Sequence, residues 1–200
     1  MFNHTDGGII AALIDENDHA KLLDGLDVII PLAKKVKCTK LICAAGNRKE
    51  GLSHGEAMEN MIGGLASIAP VCAAEGITLL LEPFNTKVDH PDYFLDSAAD
   101  GVRVLDAVGS DSVKLLYDIY HMQIMGGNIL SFVRENIDRI GHFHIAGVPG
   151  RHEPFPCELD YAFLVDRIMK LGYKGNFGLE YWPTVDHSES LRAAREKLNV

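Results

Sequence analysis

The chain has 200 residues, 47% hydrophobic and 24% charged, the balance of a globular protein able to bury one full core. Its formal net charge of −9 speaks against a nucleic-acid backbone as partner, since phosphate binding needs clustered Lys and Arg. No apolar run of membrane-spanning length is read, and the start lacks the basic segment of a secretion signal, so a cytoplasmic protein is expected, with no membrane partner.

In chain order, the start at residues 1–3 reads as the tail of a strand. Leu22, Leu23, Leu26, Ile29, Ile30 and Ala33 recur at helical spacing. Thr39–Ala45 reads as a strand. Ser53 and Glu56 form a capping-box pattern, and Met58, Met61, Ile62, Leu65 and Ile68 continue that helix. Pro31 and Pro70 fall inside these two patterns and predict kinks or early breaks. Strands are predicted at Ile77–Glu82, Val113–Asp118, Gly141–Ala146 and Asn176–Tyr181. Helices are predicted at Tyr93–Val108, Asn128–Arg139, Tyr161–Leu171 (stopped by Gly172) and Ser188–Leu198.

Strict strand–helix alternation implies a parallel sheet. Parity puts Phe177, Leu179 and Tyr181 on one face and Asn176, Gly178 and Glu180 on the other; Phe143 and Ile145 likewise oppose His142, His144 and Ala146. Bulky residues on one face and small or polar ones on the other suit a barrel with helices outside. An open doubly wound sheet is the alternative, but the glycine-rich phosphate loop it usually carries is missing. The four cysteines, Cys38, Cys43, Cys72 and Cys157, form no CxxC pair and read as buried, reduced thiols.

Four of these strands end near a ligand-type residue: Glu82, Asp118, His144 and Glu180. The intervals are 36, 26 and 36 residues, against about 30 for one unit of a (β/α)₈ barrel, whose chemistry sits at the C-terminal strand ends. Converging there, three carboxylates and an imidazole would hold a divalent cation, with Mn²⁺, Mg²⁺ or Co²⁺ favoured by the hard oxygen donors. Taken singly, Glu82 and Glu180 also fit solvated strand-end charges, and Asp118 fits a helix cap. Both glutamates share one context, an apolar run followed by Pro83 or Pro183. His142 shares a face with His144 and reads as a supporting residue. His121 follows Asp118 by three residues, and Arg151 lies in a loop where it could clamp a carboxylate or phosphate or simply be exposed. A cation beside two glutamates favours proton transfer next to a carbonyl, through an enediolate.

The segments LLEPFN (80–85), LLYDIYHMQIMGGNI (115–129), IGHFHIAGVPGRHEP (140–154), ELDY (158–161) and GLEYWP (178–183) resemble the xylose isomerase-like TIM barrel superfamily, in the branch of hydroxypyruvate isomerase and the ketose 3-epimerases. The resemblance implies Glu82, Asp118, His144 and Glu180 as metal ligands and Glu82 and Glu180 as the acid–base pair. It implies substrate contacts from His121 and Arg151, with Glu158 in support. It further implies one domain over residues 1–200 lacking the first two strands and most of the third. His144 is the ketose epimerase choice; relatives of hydroxypyruvate isomerase often carry Gln there. Phe155-Pro156-Cys157 replaces a segment usually rich in glycine.

The expected activity is isomerisation or epimerisation of a small hydroxy-carbonyl compound or ketose. The rivals are a non-catalytic barrel piece that binds metal or a partner, and an AP endonuclease-type repair enzyme. Five strands leave two sheet edges with apolar side chains, which promote association. The chain is therefore predicted to be a homo-oligomer or poorly soluble. Light scattering checks this, and a monodisperse, cooperatively melting monomer would contradict it.

Overall fold

The computed structural model describes residues 3–5, 8–9 and 11–198. A short antiparallel pair, β1 (His4–Thr5) and β2 (Gly8–Ile9), precedes a five-stranded sheet. Its strands are β3 (Lys40–Cys43), β4 (Thr78–Leu81), β5 (Val113–Asp118), β6 (Ile140–Ile145) and β7 (Phe177–Leu179). All pair parallel in chain order, as the alternation predicts. Of the predicted strand tail, residues 1 and 2 lie outside the described residues. Asn3 joins the fold by its side chain instead. Its amide donates to Ala44 O (2.9 Å) and Ala11 O (2.8 Å) and accepts from Ala44 N (3.0 Å).

The helices are α1 (His19–Lys35), α2 (His54–Ala74), α3 (Ala98–Val108), α4 (Ile119–Met125), α5 (Ile129–Asn136), α6 (Tyr161–Lys170) and α7 (His187–Leu198). The capping box forms: Ser53 Oγ accepts from Glu56 N, and Glu56 Oε2 accepts from Ser53 N. Neither proline ends its helix, since α1 and α2 run through Pro31 and Pro70. At 21 residues, α2 is long and apolar enough to cross a membrane, contrary to the sequence reading. Met61, Leu65, Ile68 and Cys72 bury one side of it in the barrel core, between α1 and α3.

The predicted helix over Tyr93–Val108 starts only at Ala98, where Ser97 Oγ accepts from Asp100 N. Tyr93 is used differently. Its hydroxyl accepts from Ala45 N (2.7 Å) and donates to Glu82 O (3.0 Å), joining the ends of β3 and β4. Tyr161 OH likewise donates to Ala146 O at the end of β6 (2.6 Å). These hydroxyls fasten the rim from which the polar side chains project.

The parity assignment holds for β6 and Phe177, but Leu179 and Tyr181, expected opposite Glu180, are partly buried and line a cleft together with it. Phe143 and Ile145 are fully buried, and Phe143 stacks on Phe177 and meets Tyr173 edge-on. Tyr117 stacks on Phe132 of α5. Of the cysteines, Cys43 and Cys72 are buried, Cys157 is partly so, and Cys38 is exposed, against expectation.

Tyr93→Phe leaves the buried Ala45 N–H without its acceptor. It is expected to lower stability by about 1–3 kcal/mol, measured by urea unfolding. An unchanged midpoint would show that the hydroxyl fastens neither strand end.

Candidate metal and proton-transfer site

Four of the five sheet strands, β4 to β7, each deliver one side chain to the C-terminal rim. Pro83, which has no N–H for a ladder, follows Glu82 just past β4. Asp118 is the last residue of β5 and also the N-cap of α4, where its Oδ1 accepts from Tyr120 N (2.9 Å). The helix-cap reading holds for Oδ1, while Oδ2 is buried with no hydrogen-bond partner. His144 lies near the end of β6, and Glu180 follows β7, with its N–H donating to Ile145 O (3.1 Å).

Glu82, Asp118 and Glu180 come together, and His144 stands against two of them. His144 Nδ1 lies 3.2 Å from Glu180 Oε2 and 3.6 Å from Glu82 Oε1. His121 Nε2 lies 3.5 Å from Asp118 Oδ2. The ligand atoms that all lie within 4.8 Å of one another are those of Glu82, Asp118, His121 and Glu180, with His121 in the place the sequence reading gave to His144. Arg151 Nη2 donates to Glu180 Oε2 (2.7 Å), and its guanidinium sits 5.3 Å from the Tyr120 ring centroid. Arg151 holds a left-handed backbone (φ 57°) after Gly150. Glu158 is exposed and accepts from Gln123 of α4 (3.3 Å).

Among the described residues, five buried side-chain atoms lack a hydrogen-bond partner. Four belong here: Glu82 Oε1, Asp118 Oδ2, His121 Nε2 and His144 Nδ1. Buried polar groups are normally satisfied. Carboxylate oxygens and ring nitrogens left open toward one another fit a hard divalent cation.

The two imidazoles are not equivalent. Asn85 Oδ1 accepts from Val88 N and Asp89 N, which fixes its amide so that Nδ2 faces Asp89 Oδ2 and His121 Nδ1 (2.7 Å). The backbone N–H of Asn85 also donates to His121 Nδ1 (3.3 Å). With Nδ1 accepting, a neutral His121 carries its proton on Nε2 and offers the site a donor. No such donor faces the Nδ1 of His144 among the described residues.

Burial pushes Glu82 upward, and it lifts Asp118 to about 7 with the help of Glu82. Burial also opposes charge on His144, but the carboxylates of Glu180 and Glu82 outweigh it and raise the ring to about 10. Glu180, half-exposed, is favoured as the anion by His144 and Arg151, which outweigh its own partial burial and hold it at about 2. Burial and the Arg151 charge depress His121 to about 3, so that ring is neutral.

A cleft of about 460 Å³ opens over Glu180 and Arg151, between Phe84, His90 and Trp182. That is small-molecule size. His90, Asn85 and Tyr120 were not singled out from sequence. The sequence signal for Asn85 and Tyr120 was their place in the quoted motifs beside Glu82 and His121, and His90 lies outside those motifs. The loop bearing Arg151 is tied to the one bearing Glu180. Trp182 N donates to Arg151 O (2.8 Å), and Glu153 accepts from Thr184 N (2.8 Å), Thr184 Oγ1 (2.9 Å) and Ser190 Oγ (2.9 Å).

With this geometry in hand, comparison with known proteins places the chain. The xylose isomerase-like TIM barrel model matches residues 3–199. The chain belongs to that family. It is 43% identical over 127 residues to the 2-oxo-tetronate isomerase of Cupriavidus necator, covering 64% of this chain and 48% of that protein. It is 33% identical over 169 residues to the hydroxypyruvate isomerase of Escherichia coli, covering 84% and 65%. The chain thus spans less than two thirds of the length of either relative. A solved structure named AP endonuclease, family 2, from Brucella melitensis superposes with a TM-score of 0.87 at 30% identity, over 92% of this chain and 71% of that one.

His144 is charged in the metal-free fold and largely neutral when unfolded above its ordinary value of 6.5. Its stabilising contribution is therefore complete below about pH 6.5 and is lost as pH rises toward about 10. In the metal-free protein, ¹⁵N NMR at pH 8 is expected to show a doubly protonated His144 ring. Adding Mn²⁺ is expected to release protons, because bound imidazole and carboxylates are deprotonated. A neutral ring at pH 8 would show that the flanking carboxylates do not hold it.

Proposed function

We propose that the chain is a metal-dependent isomerase or epimerase of a small compound with a hydroxyl beside a carbonyl. The observation that carries this reading is the approach of Glu82 and Glu180 to one imidazole, at 3.6 and 3.2 Å, beneath a cleft of small-molecule size. The names of the similar proteins, 2-oxo-tetronate isomerase and hydroxypyruvate isomerase, support the same reaction class.

The proposed cation holders are Glu82, Asp118, His144 and Glu180. His144 is preferred to His121 because its Nδ1 faces carboxylates and, once it gives up its proton as a cation arrives, presents a lone pair, whereas Asn85 fixes the proton of a neutral His121 on Nε2. A bound Mn²⁺, Mg²⁺ or Co²⁺ would polarise the substrate carbonyl and its neighbouring hydroxyl. One of the two glutamates removes the proton from the carbon beside the carbonyl, and the other returns a proton to the resulting enediolate. Return to the neighbouring carbon, with the hydroxyl proton passing to the former carbonyl oxygen, isomerises; return to the opposite face of the same carbon epimerises. His121 donates from Nε2 to a substrate oxygen, and Arg151 at the cleft wall orients a carboxylate or hydroxyl. Glu158 is exposed, accepts from Gln123, and has no role in this scheme.

A repair endonuclease would need to bind a phosphate backbone, and the net charge of −9 argues against that. A barrel piece that binds metal without turnover is separated from an enzyme by experiment. The Mn²⁺-loaded protein is incubated in D₂O with hydroxypyruvate, 2-oxo-tetronate and ketoses, and deuterium at the carbon beside the carbonyl is followed by NMR. Glu82→Gln and Glu180→Gln are each expected to slow exchange by about 10²–10⁴-fold. Wild-type exchange in either folded, metal-loaded variant would sink the paired-glutamate mechanism. Metal binding with no exchange on any substrate would leave the binding reading in its place.

A further inference from the structure

Glycine in a strand interior weakens the strand, and often marks a close approach by another group. Gly178 lies in the middle of β7, and its φ is outside the left-handed region. Any residue could adopt this backbone, so the reason for glycine lies in the space around it. In the register of β6 and β7, Gly178 stands opposite His144. A Cβ at this position would lie 2.7 Å from His144 Cδ2, 3.1 Å from His144 Nε2 and 2.9 Å from His142 Nε2. Real Cβ atoms essentially never come within 3.0 Å of a neighbour.

The two imidazoles fill the space a side chain would take. His142 and His144 pack edge to face, with centroids 5.1 Å apart and planes at 84°. His142 therefore blocks one route by which the His144 ring could yield. The remaining freedom is rotation or lift away from β7. Either movement changes the placement of Nδ1 against Glu180, which stands two residues further along the same segment, and against Glu82.

We propose that Gly178 is a positioning residue of the site: its missing side chain seats the His144 imidazole across β7, with Nδ1 between Glu82 and Glu180. This deepens the metal reading and rests on His144 as one of the cation's holders.

The test compares Gly178→Ala with Gly55→Ala, a helical position where an added Cβ meets nothing within 4 Å. Two quantities are read. The first is the ¹⁵N-correlated ring spectrum of His144 in the metal-free protein, assigned by its loss in His144→Gln. The second is Mn²⁺ affinity by paramagnetic resonance titration. Gly178→Ala is expected to shift the His144 ring signals and weaken Mn²⁺ binding by about 10–100-fold, as disturbed outer-shell contacts do; Gly55→Ala is expected to do neither. Unchanged ring signals and affinity in Gly178→Ala would overturn the proposal. Should wild type itself fail to bind Mn²⁺, the metal reading falls, and the ring spectrum alone decides whether Gly178 seats His144. Should Gly178→Ala fail to fold, His142→Ala/Gly178→Ala removes the contact at 2.9 Å and keeps the one at 2.7 Å. The double variant is expected to fold with displaced ring signals and weakened binding; wild-type values for both would count against the proposal.

Discussion

Three carboxylates share one end of a parallel sheet, and two of them, Glu82 and Asp118, are almost wholly withdrawn from water. An isolated buried charge is strongly unfavourable, so it is paired, protonated or bound to a cation. The surrounding structure answers to that constraint. His144 sits between two of the carboxylates, and Arg151 reaches over to Glu180. Even so, an oxygen of Glu82 and one of Asp118 remain without a partner. Each unsatisfied buried group costs about 1–3 kcal/mol. A site that holds such groups open stores affinity for whatever completes them, and stability is given up for function.

The arrangement separates placing from orienting. Placing belongs to the sheet: four neighbouring parallel strands, β4 to β7, bring one residue each to a common rim. Orienting belongs to contacts beyond the strands. Tyr93 and Tyr161 fasten the strand ends by their hydroxyls. Asn85 fixes the tautomer of His121. Asp118 spends one oxygen on starting α4, which aims the other inward. A helix cap and a metal ligand are thus compatible roles for one carboxylate, because its two oxygens point apart.

Much of the fold was legible because its signals are local. Val113–Asp118 was read without error, and the remaining sheet strands were placed to within a few residues. The capping box at Ser53 was legible for the same reason: donor and acceptor lie three residues apart. Errors came where distant partners decide. Tyr93 looks like the start of a helix, but its hydroxyl is claimed by Ala45 and Glu82. Helix α4 is too short to show a period, and it exists because Asp118 caps it and the core takes Ile119 and Met122. Pro70 sits in a helix whose packing between α1 and α3 outweighs the missing hydrogen bond.

The sequence by itself determined the strand–helix alternation, the buried face of Phe143 and Ile145, and the presence of an acid or imidazole near four strand ends. Those follow from side-chain parity and from runs of apolar residues, which the chain carries locally. Only the tertiary structure decided that these groups meet, which atom of each stays open, and on which nitrogen a neutral His121 carries its proton. Those depend on pairings such as His144 with Glu82, 62 residues apart, and on Asn85 with His121, 36 apart. Periodicity cannot carry that information, because a tautomer or an open lone pair is set by neighbours that only folding supplies.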